Sequence, residues 1–337
     1  MKEGDRIKLG HGSGGKMSQE LFENVFQPAF SNEFLNEVHD GAILELNPGR
    51  VAFSTDTFVV NPLFFPGGNI GDLAVNGTVN DVAMCGAIPQ YLSVGFILEE
   101  GLPIDQLRLI VESMREAASK AGVKLVTGDT KVVEHGSADG VFINTSGVGV
   151  IPENVHISPK SAKEGDRIII NGGIAEHGVA VMTKREGLEF ESSIESDCAA
   201  LNHMIQAVLN EVSSVRVLRD PTRGGIAATL NEIAQSSDVG IELQESAIPI
   251  QEQVKSISAI LGLDPFFIAN EGKVLTVVGE QDAEKVVEIM NSFPEGKEAA
   301  IIGQVTSNNP GKVVLETSIG TRRLVDMPSG EQLPRIC

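Results

Sequence analysis

Alternating apolar and polar residues predict five strands in the first half of the chain. They are "GAILEL" (41–46), "RVAFSTDTFVV" (50–60), "QYLSVGFILE" (90–99), "VKLVTGDTKVV" (123–133) and "VFINTSGVGVI" (141–151). The "NPG" turn separates the first two, and Val, Ile, Phe and Thr dominate the runs. Such residues with a period of two are typical of half-buried strands.

Apolar residues at helical spacing predict three helices in the same half. The segment 104–121 repeats Leu, Ile, Val and Met every three or four residues and is followed by Gly122, a common helix stop. Small and apolar residues between 68 and 86 predict a second helix, and "SQELFENVFQPAF" (18–30) predicts a short one. The first half therefore mixes strands with helices.

The second half repeats this style after a break rich in Pro, Ser and charge at 151–163, where a domain boundary is expected. A buried strand leads into a Gly-rich turn and a helix in "DRIIINGGIAEHGVAVM". Further helices are expected at 196–212, 222–236 and 281–293, alternating with strands "GIELQ", "KVLTVVG" and "AAIIGQV". After Val305 a hairpin and a polar tail are expected. The predicted units are residues 1–35, 36–155, 156–305 and 306–337, and the predicted fold class is α/β with mixed sheets.

The charge of the chain excludes several classes of partner. The 337 residues carry 26 Lys and Arg against 46 Asp and Glu, a net charge of -20, which disfavours nucleic acid and anionic membranes. The three cysteines are widely spaced and odd in number, so neither a disulfide framework nor a zinc ribbon is expected. With no apolar signal core near Met1 and no membrane-spanning run, a soluble cytoplasmic protein is expected. Cys85 is expected in the core, Cys198 on a helix, and Cys337 is the last residue.

A glycine-rich segment, "GHGSGGKM" (10–17), nearly matches a P-loop. Met17 stands where the Ser or Thr that binds Mg²⁺ should be, and no hydrophobic strand precedes the segment, so it is not a Walker A site. Two interpretations fit equally: a flexible turn, or a loop whose N–H groups and lysine close over phosphates.

Five aspartates lie beside Gly, Ser or Thr where predicted elements end: Asp40, Asp56, Asp81, Asp129 and Asp220. Any one of them fits a cap or a turn, whereas the five together suit a cluster that binds Mg²⁺ and nucleotide phosphates. "DPTRGG" adds Arg223 and Gly224 at a helix N-terminus, a natural anion site. Lys131 suits either a phosphate contact or a solvated surface, and Glu271 alone fits ordinary loop polarity.

These motifs together resemble those of one family. "GHGSGGK", "STDTFVV", "GDLAVNGTVNDVAMCGA", "GDTKVV", "DPTRGG", "NEGK" and the final "PRIC" resemble the HypE family of hydrogenase maturation proteins over essentially the whole chain. That family belongs to the ATP-binding superfamily of aminoimidazole ribonucleotide synthetase, selenophosphate synthetase and thiamine-monophosphate kinase. The resemblance implies a two-domain PurM-like fold, a homodimer with a shared N-terminal β-barrel, and a flexible tail.

The resemblance also implies the site and its partners. Metal or nucleotide carboxylates are expected at Asp40, Asp56, Asp81 and Asp220 with Asp129 beside them, and a lid over ATP and Mg²⁺ at Gly12, Gly14, Gly15 and Lys16. The implied reaction turns a carbamoyl group on Cys337 into a thiocyanate, with HypF as the donor and the HypC–HypD complex as the acceptor. Glu271 is the expected base, and Lys131 the residue that steadies the imidate oxygen or the phosphate.

The tail carries further expectations. Cys337 should stay away from the metal site until the tail swings in, directed by Pro334 and a turn at 328–330, with Arg335 steadying it. The adjacent α-carboxylate should raise the pKa of the thiol. Two other functions stay open on sequence alone: a kinase or ligase that acts on a free small molecule, and a nucleotide-binding scaffold whose tail is only a docking peptide.

Overall fold

The computed structural model describes residues 5–12, 16–37, 49–187, 193–327, 333 and 335–337. Near the N-terminus a 3-10 turn, Leu9–Gly12, precedes helix α1, Lys16–Leu21, which continues through a π-helical turn, Phe22–Phe26, into α2, Gln27–Phe30. The short helix predicted at 18–30 is thereby confirmed. The strand predicted at 41–46 lies outside the described residues.

The first sheet has four strands in the order β1-β6-β4-β5. Their bounds are β1 Arg50–Phe58, β4 Ile88–Glu99, β5 Lys124–Val133 and β6 Val141–Ile151, and a small hairpin pairs β2, Phe64–Phe65, with β3, Gly68–Asn69. β6 pairs antiparallel with β1 and β4, and β4 pairs parallel with β5. The four strands match those predicted from the alternating pattern.

Two helices cover one face of this sheet. In α3, Ile70–Met84, nearly every residue is buried, and the helix begins at a capping box formed by Asn69 and Asp72. The amphipathic α4, Ile104–Ala121, buries its apolar stripe against α3 and ends at Gly122 in the left-handed region, φ 72°. The inner face of the sheet and the two helices form the first core.

The outer face of the sheet carries large apolar side chains that no described element buries. Phe53 is 72% exposed, and Val51, Ile88 and Ile97 are each more than 40% exposed. A sheet face of this character is typical of an interface between proteins rather than of a free surface.

The second sheet has seven strands in the order β13-β12-β9-β11-β7-β10-β8. The strands are β7 Arg167–Ile170, β8 Val215–Arg219, β9 Gly240–Gln244, β10 Leu275–Val278, β11 Ala300–Thr306, β12 Val313–Glu316 and β13 Arg322–Leu324. The helices are α5 Glu176–Arg185, α6 Asn202–Glu211, α7 Gly225–Ser237, α8 Glu252–Leu261 and α9 Ala283–Asn291. Among the described strands of this sheet, only β12 and β9 pair in parallel.

Three features of this half differ from the sequence pattern. Strand β8 and helix α8 were not predicted, and α6 begins at Asn202 rather than near 196. Residues before α6 are used in contacts with the first half instead: Ser196 N–H donates to the carbonyl of Pro66 at 2.8 Å, and Leu201 N–H donates to Asn80 Oδ1 at 2.8 Å. Tertiary contacts here outweigh the local helical pattern. No helix in the described ranges is long and apolar enough to cross a membrane.

Candidate functional site

Three aspartates from different elements face one another between the two sheets. Asp56 lies on the inner side of β1 opposite the buried Thr145, Asp81 lies in the last turn of α3, and Asp220 follows β8. The hydroxyl of Ser54 donates to Asp81 Oδ2 at 2.7 Å, and Thr57 N–H donates to Asp56 Oδ1 at 2.8 Å. The fold thus places three carboxylates that are far apart in sequence at one location.

The pKa values of all three aspartates are raised, chiefly by burial. Burial raises the pKa of Asp56, where the charge of Arg223 opposes the shift. Burial and then the charge of Asp56 raise the pKa of Asp81, while Ser54 opposes the shift. Burial and then the charge of Asp81 raise the pKa of Asp220 to about 7. Hard, unneutralised oxygens of this kind are the donors that Mg²⁺ prefers.

The cluster is a loose arrangement of oxygens. In the residues that the structure describes, no three His, Cys, Asp or Glu side chains stand at the spacing of an assembled metal centre. Asp40, which the sequence grouped with these carboxylates, lies outside the described residues. The donor chemistry and the raised pKa values fit a divalent cation nonetheless.

The prediction that these aspartates end their elements is wrong for two of them. Asp56 lies inside β1 and Asp129 inside β5, each with the ladder continuing on both sides. The neighbouring Ser and Thr residues, which suggested turns, have good strand propensity when one face of the strand is buried.

The segment before α7 places the positively charged side chain of Arg223 and the N-terminus of the helix near the acidic cluster. Arg223 is exposed, yet its charge lowers the pKa of both Asp56 and Cys337. Gly224 caps α7 at φ 79°, and a Cβ on Gly225 would lie 2.5 Å from the carbonyl oxygen of Phe266. Only glycine fits this tight entry to the helix.

The C-terminal residues lie inside the site, contrary to the expectation that they stay away from it. Val59 N–H donates to an α-carboxylate oxygen of Cys337 at 3.2 Å, and Asn61 N–H donates to the carbonyl of Arg335 at 3.1 Å. The carbonyl of Ile336 accepts from His177 Nε2 at 2.8 Å. Each of the last three residues therefore has a main-chain oxygen paired with the body of the protein.

Side chains fix the tail as well. Ile336 is 2% exposed and joins the first core. Arg335, which adopts φ 54°, donates to Asp139 Oδ1 at 2.9 Å, and Arg185 donates to the carbonyl of Arg335 at 2.5 Å. The ion pair with Asp139 is the contact through which Arg335 would steady the tail, as predicted. Pro334 and residues 328–330, which were expected to direct the tail, lie outside the described residues.

The thiol of Cys337 contacts Glu271. Burial and then the charge of the Glu271 carboxyl raise the pKa of the thiol well above its usual value. The raised pKa was predicted, but from the α-carboxylate, whereas burial is the larger cause. Glu271 is 4% exposed, and its Oε1 has no hydrogen-bond partner in the described structure. Burial and the charges of Asp197 and Asp220 raise the pKa of Glu271 well above its usual value.

A buried ionic cluster, missed at the sequence level, positions the Glu271 loop. Lys273 Nζ lies 3.2 Å from Asp197 Oδ2 and 3.2 Å from Glu176 Oε2. Asp197 also accepts from the N–H of Glu271 at 3.1 Å and of Gly272 at 3.3 Å. Lys273 is the last residue of the "NEGK" motif, but its partners Glu176 and Asp197 lie in two distant segments, so the motif alone did not reveal the cluster.

Lys131 and Asp129 lie apart from this cluster. They pair with Ile97 and Gly95 of the neighbouring strand β4, and their side chains lie on the outer side of the sheet. Lys131 Nζ lies 3.2 Å from Asp129 Oδ2. Both line a cavity of about 350 Å³ with His11 and apolar residues of the N-terminal helices. Within the chain, Asp56 faces the opposite side of the same sheet, three strand spacings or roughly 14 Å away. One chain therefore does not bring Lys131 to Cys337.

The N-terminal loop is described only in part. Gly12 ends a 3-10 turn and Lys16 begins α1, while Gly14 and Gly15 lie outside the described residues.

The other two cysteines differ from their predictions. Cys85 is exposed, since it caps α3 beside the acidic cluster instead of entering the core. Cys198 precedes α6, and its thiol contacts Asp72 and accepts from Asn76 Nδ2 at 3.4 Å.

Comparisons with known proteins agree with this architecture. Residues 38–151 match the model of the AIR synthase related protein N-terminal domain, and residues 163–316 match that of its C-terminal domain. The carbamoyl dehydratase HypE of Azotobacter vinelandii is 54% identical, with 98% of this chain and 97% of that protein covered.

Two solved structures are similar over almost the whole chain. The structure of hydrogenase maturation protein HypE in complex with ATP has a TM-score of 0.95 at 47% identity and covers 98% of this chain and 99% of that one. The structure of a HypE–HypF complex has a TM-score of 0.81 at 49% identity and covers 93% of this chain and 100% of that one. The chain therefore belongs to the HypE family of carbamoyl dehydratases, within the AIR synthase related proteins.

Proposed function

We propose that this protein uses ATP to dehydrate an S-carbamoyl group on its own Cys337, and that the thiocyanate formed is the cyanide source for the iron centre of [NiFe] hydrogenase. The observation that carries the proposal is the docked tail, whose buried thiol lies beside Glu271 and three aspartates. The similar HypE structure that contains ATP supports the nucleotide. An enzyme acting on a free metabolite has no need to bury its own final cysteine here.

The reaction requires a better leaving group than hydroxide. The carbonyl oxygen of Cys337–S–C(=O)–NH₂ attacks the γ-phosphorus of ATP, ADP departs, and one N–H proton is lost. Loss of the second N–H proton forms the C≡N bond as the C–O bond breaks and phosphate departs. The products are Cys337–S–C≡N, ADP, phosphate and a proton, so the atoms balance.

Glu271 is the group placed to take a proton from the nitrogen. Its carboxyl already contacts the Cys337 sulfur, and its unpaired Oε1 is free for a second contact. The charges of Asp220, Asp56 and Asp81 raise its pKa, so neutralising those three carboxylates favours the ionised form that accepts a proton. The base is thereby linked to occupancy of the acidic cluster.

The nucleotide and cation would be held by the residues around this cluster. Asp56, Asp81 and Asp220, with Asp40 predicted beside them, would hold Mg²⁺, which offsets phosphate charge in reactions of this class. Arg223, Gly224 and the N-terminus of α7 offer an anion site on the same side. Gly12, Gly14, Gly15 and Lys16 would close over the nucleotide as a lid. Asp129 lies beside Lys131 on the outer side of the sheet, so it would reach a nucleotide site only from a second copy of the chain.

The active unit would be a homodimer joined through the outer face of the first sheet. Phe53, Val51, Ile88 and Ile97 expose an apolar surface there, which supports burial against a second copy. Lys131 lies on this same face and away from its own Cys337, so a second copy would bring it to the site. In that position it would steady the imidate oxygen or the phosphate.

Mixed dimers test this arrangement. Lys131→Ala and Glu271→Gln should each be inactive as homodimers. Subunit exchange in an equal mixture should restore about a quarter of wild-type activity, because half of the dimers are mixed and each holds one intact site. Two variants in the same chain's part of the site, Glu271→Gln and Asp220→Asn, are the matched control and should restore no activity, because each site of their mixed dimer carries one of the two substitutions. If Lys131→Ala mixed with Glu271→Gln also stays inactive, Lys131 acts within its own chain.

The donor and acceptor follow from the family. The HypE–HypF structure supports HypF as the carbamoyl donor, and the HypC–HypD complex would accept the cyanide. Because the thiol is buried beside Glu271, the tail must leave the site to meet either partner. The three cysteines are unpaired, which suits the reducing cytoplasm.

The function is tested by following each cysteine with mass spectrometry. After incubation with HypF, carbamoyl phosphate and ATP, wild-type protein and the Cys85→Ala and Cys198→Ala controls should gain a cyano group on the Cys337 peptide. Cys337→Ala should gain none, although slow ATP hydrolysis can persist. Turnover of a free metabolite without any adduct would favour a superfamily kinase or ligase, and a tail that only docks would favour a scaffold.

A further inference from the structure

His177 is a buried titratable residue to which the proposed chemistry assigns no role. It is the second residue of α5 and is completely buried. Its Nε2 lies 2.8 Å from the carbonyl oxygen of Ile336, and its Nδ1 lies 2.7 Å from the hydroxyl of Ser196. One imidazole therefore joins the body of the second domain to the residue before Cys337.

The partners define the state of the ring. A carbonyl oxygen can only accept, so Nε2 carries the proton and donates to Ile336. Nδ1 then accepts from the Ser196 hydroxyl, whose oxygen in turn accepts from the N–H of Cys198 at 3.1 Å. Burial lowers the pKa of His177, which keeps the ring neutral in this arrangement.

The same pair reaches the first domain. The ring of Phe65 packs edge-on against His177 at 5.3 Å between centroids, and Ser196 N–H donates to the carbonyl of Pro66. The main chain of the tail thus forms hydrogen bonds with Val59 and Asn61 of the first domain and with His177 of the second. The imidazole fixes the end of the tail across the cleft.

We propose that His177, with its tautomer set by Ser196, is a positioning residue that locks the Ile336 carbonyl and so holds the Cys337 sulfur against Glu271. This inference rests on the proposed function, because it assigns a role within the same site. The Nε2 proton faces a partner that must leave during each cycle, whereas a purely structural histidine would bond to fixed groups. Docking and release of the tail are therefore set partly by this one hydrogen bond.

The first test measures how often the tail leaves, without any chemistry. Without nucleotide, N-ethylmaleimide should label Cys337 about tenfold faster in His177→Ala than in wild type, because one buried hydrogen bond to the tail is lost. Ser196→Ala should raise the rate of Cys337 labelling about threefold. His177→Gln keeps a hydrogen-bond donor at the same position and should raise the rate less than twofold. The exposed Cys85 is the internal reference, and the exposed His156→Gln is the matched control. Unchanged labelling in both His177→Ala and Ser196→Ala would overturn the proposal.

A second measurement separates this inference from the proposed function. The single-turnover dehydration rate should fall in His177→Ala and recover in His177→Gln. Both variants should bind ATP with the wild-type affinity. If wild type never forms the cyano group, the proposed function fails while the labelling still tests the tail lock. If wild type reacts and His177→Ala reacts equally fast, the lock is wrong and the function stands. Should His177→Ala not fold, Ser196→Ala decides both measurements.

Discussion

Glu271→Gln is expected to lower the single-turnover rate of dehydration by about 10²–10⁴-fold, the usual contribution of a general base. The substitution keeps the shape of the side chain but removes the oxygen pair that accepts a proton. Since the Cys337 thiol contacts this carboxyl and Oε1 is unpaired, the lost function is proton transfer rather than folding. The rate is read as loss of one water from S-carbamoyl protein in rapid-quench mass spectrometry.

The control for this variant is an exposed glutamate. Glu298→Gln should react at the wild-type rate, since its side chain is exposed to solvent. Glu271→Gln should also bind ATP normally and label at Cys337 no slower than wild type. A Glu271→Gln protein that dehydrates at the wild-type rate would show that another group takes the proton.

Asp220→Asn is expected to have opposite effects on stability and activity. In the folded protein burial and Asp81 raise the pKa of Asp220 to about 7, from 3.8. The ionised carboxylate is therefore less favourable folded than unfolded, so it destabilises the protein increasingly as pH rises from about 4 to about 7. Replacing it should raise the free energy of unfolding without Mg²⁺ by roughly 4 kcal/mol at pH 8 and by little near pH 4.

Activity should fall by at least about 10²-fold in the same variant, because one of the oxygen donors for the cation is removed. Denaturant unfolding across this pH range checks the stability, and dehydration of S-carbamoyl protein checks the rate. Asp238→Asn, at an exposed helix end, should change neither. A variant that is less stable than wild type at pH 8, with a parallel pH profile, would contradict the acidic-cluster account.

Local pattern was sufficient for most elements of the fold. Strands β1, β4, β5 and β6 show a clear period of two, and the cap at Gly122 ends α4 as expected. Strand β8 and helix α8 were missed, and α6 was begun too early, because contacts between the halves decide the structure of residues 196–201.

The candidate site was predictable only where a motif carried it. The grouping of Asp56, Asp81 and Asp220 followed from many carboxylates in similar contexts, and Glu271 and Cys337 followed from the family resemblance. His177, Asp197 and Glu176 could not be found, because their roles depend on partners more than fifty residues away in most cases. The face on which Lys131 lies was also hidden, since a one-residue change in strand register reverses it.

The central claim is that the carbamoyl oxygen on Cys337 leaves as phosphate. S-carbamoyl protein is prepared with HypF and carbamoyl phosphate whose carbonyl oxygen is a heavy isotope, separated from the donor, and then given unlabelled ATP. The account predicts one cyano group on Cys337 for each labelled phosphate released. Unlabelled phosphate with the heavy oxygen found in water, or phosphate release without a cyano group on Cys337, would contradict it.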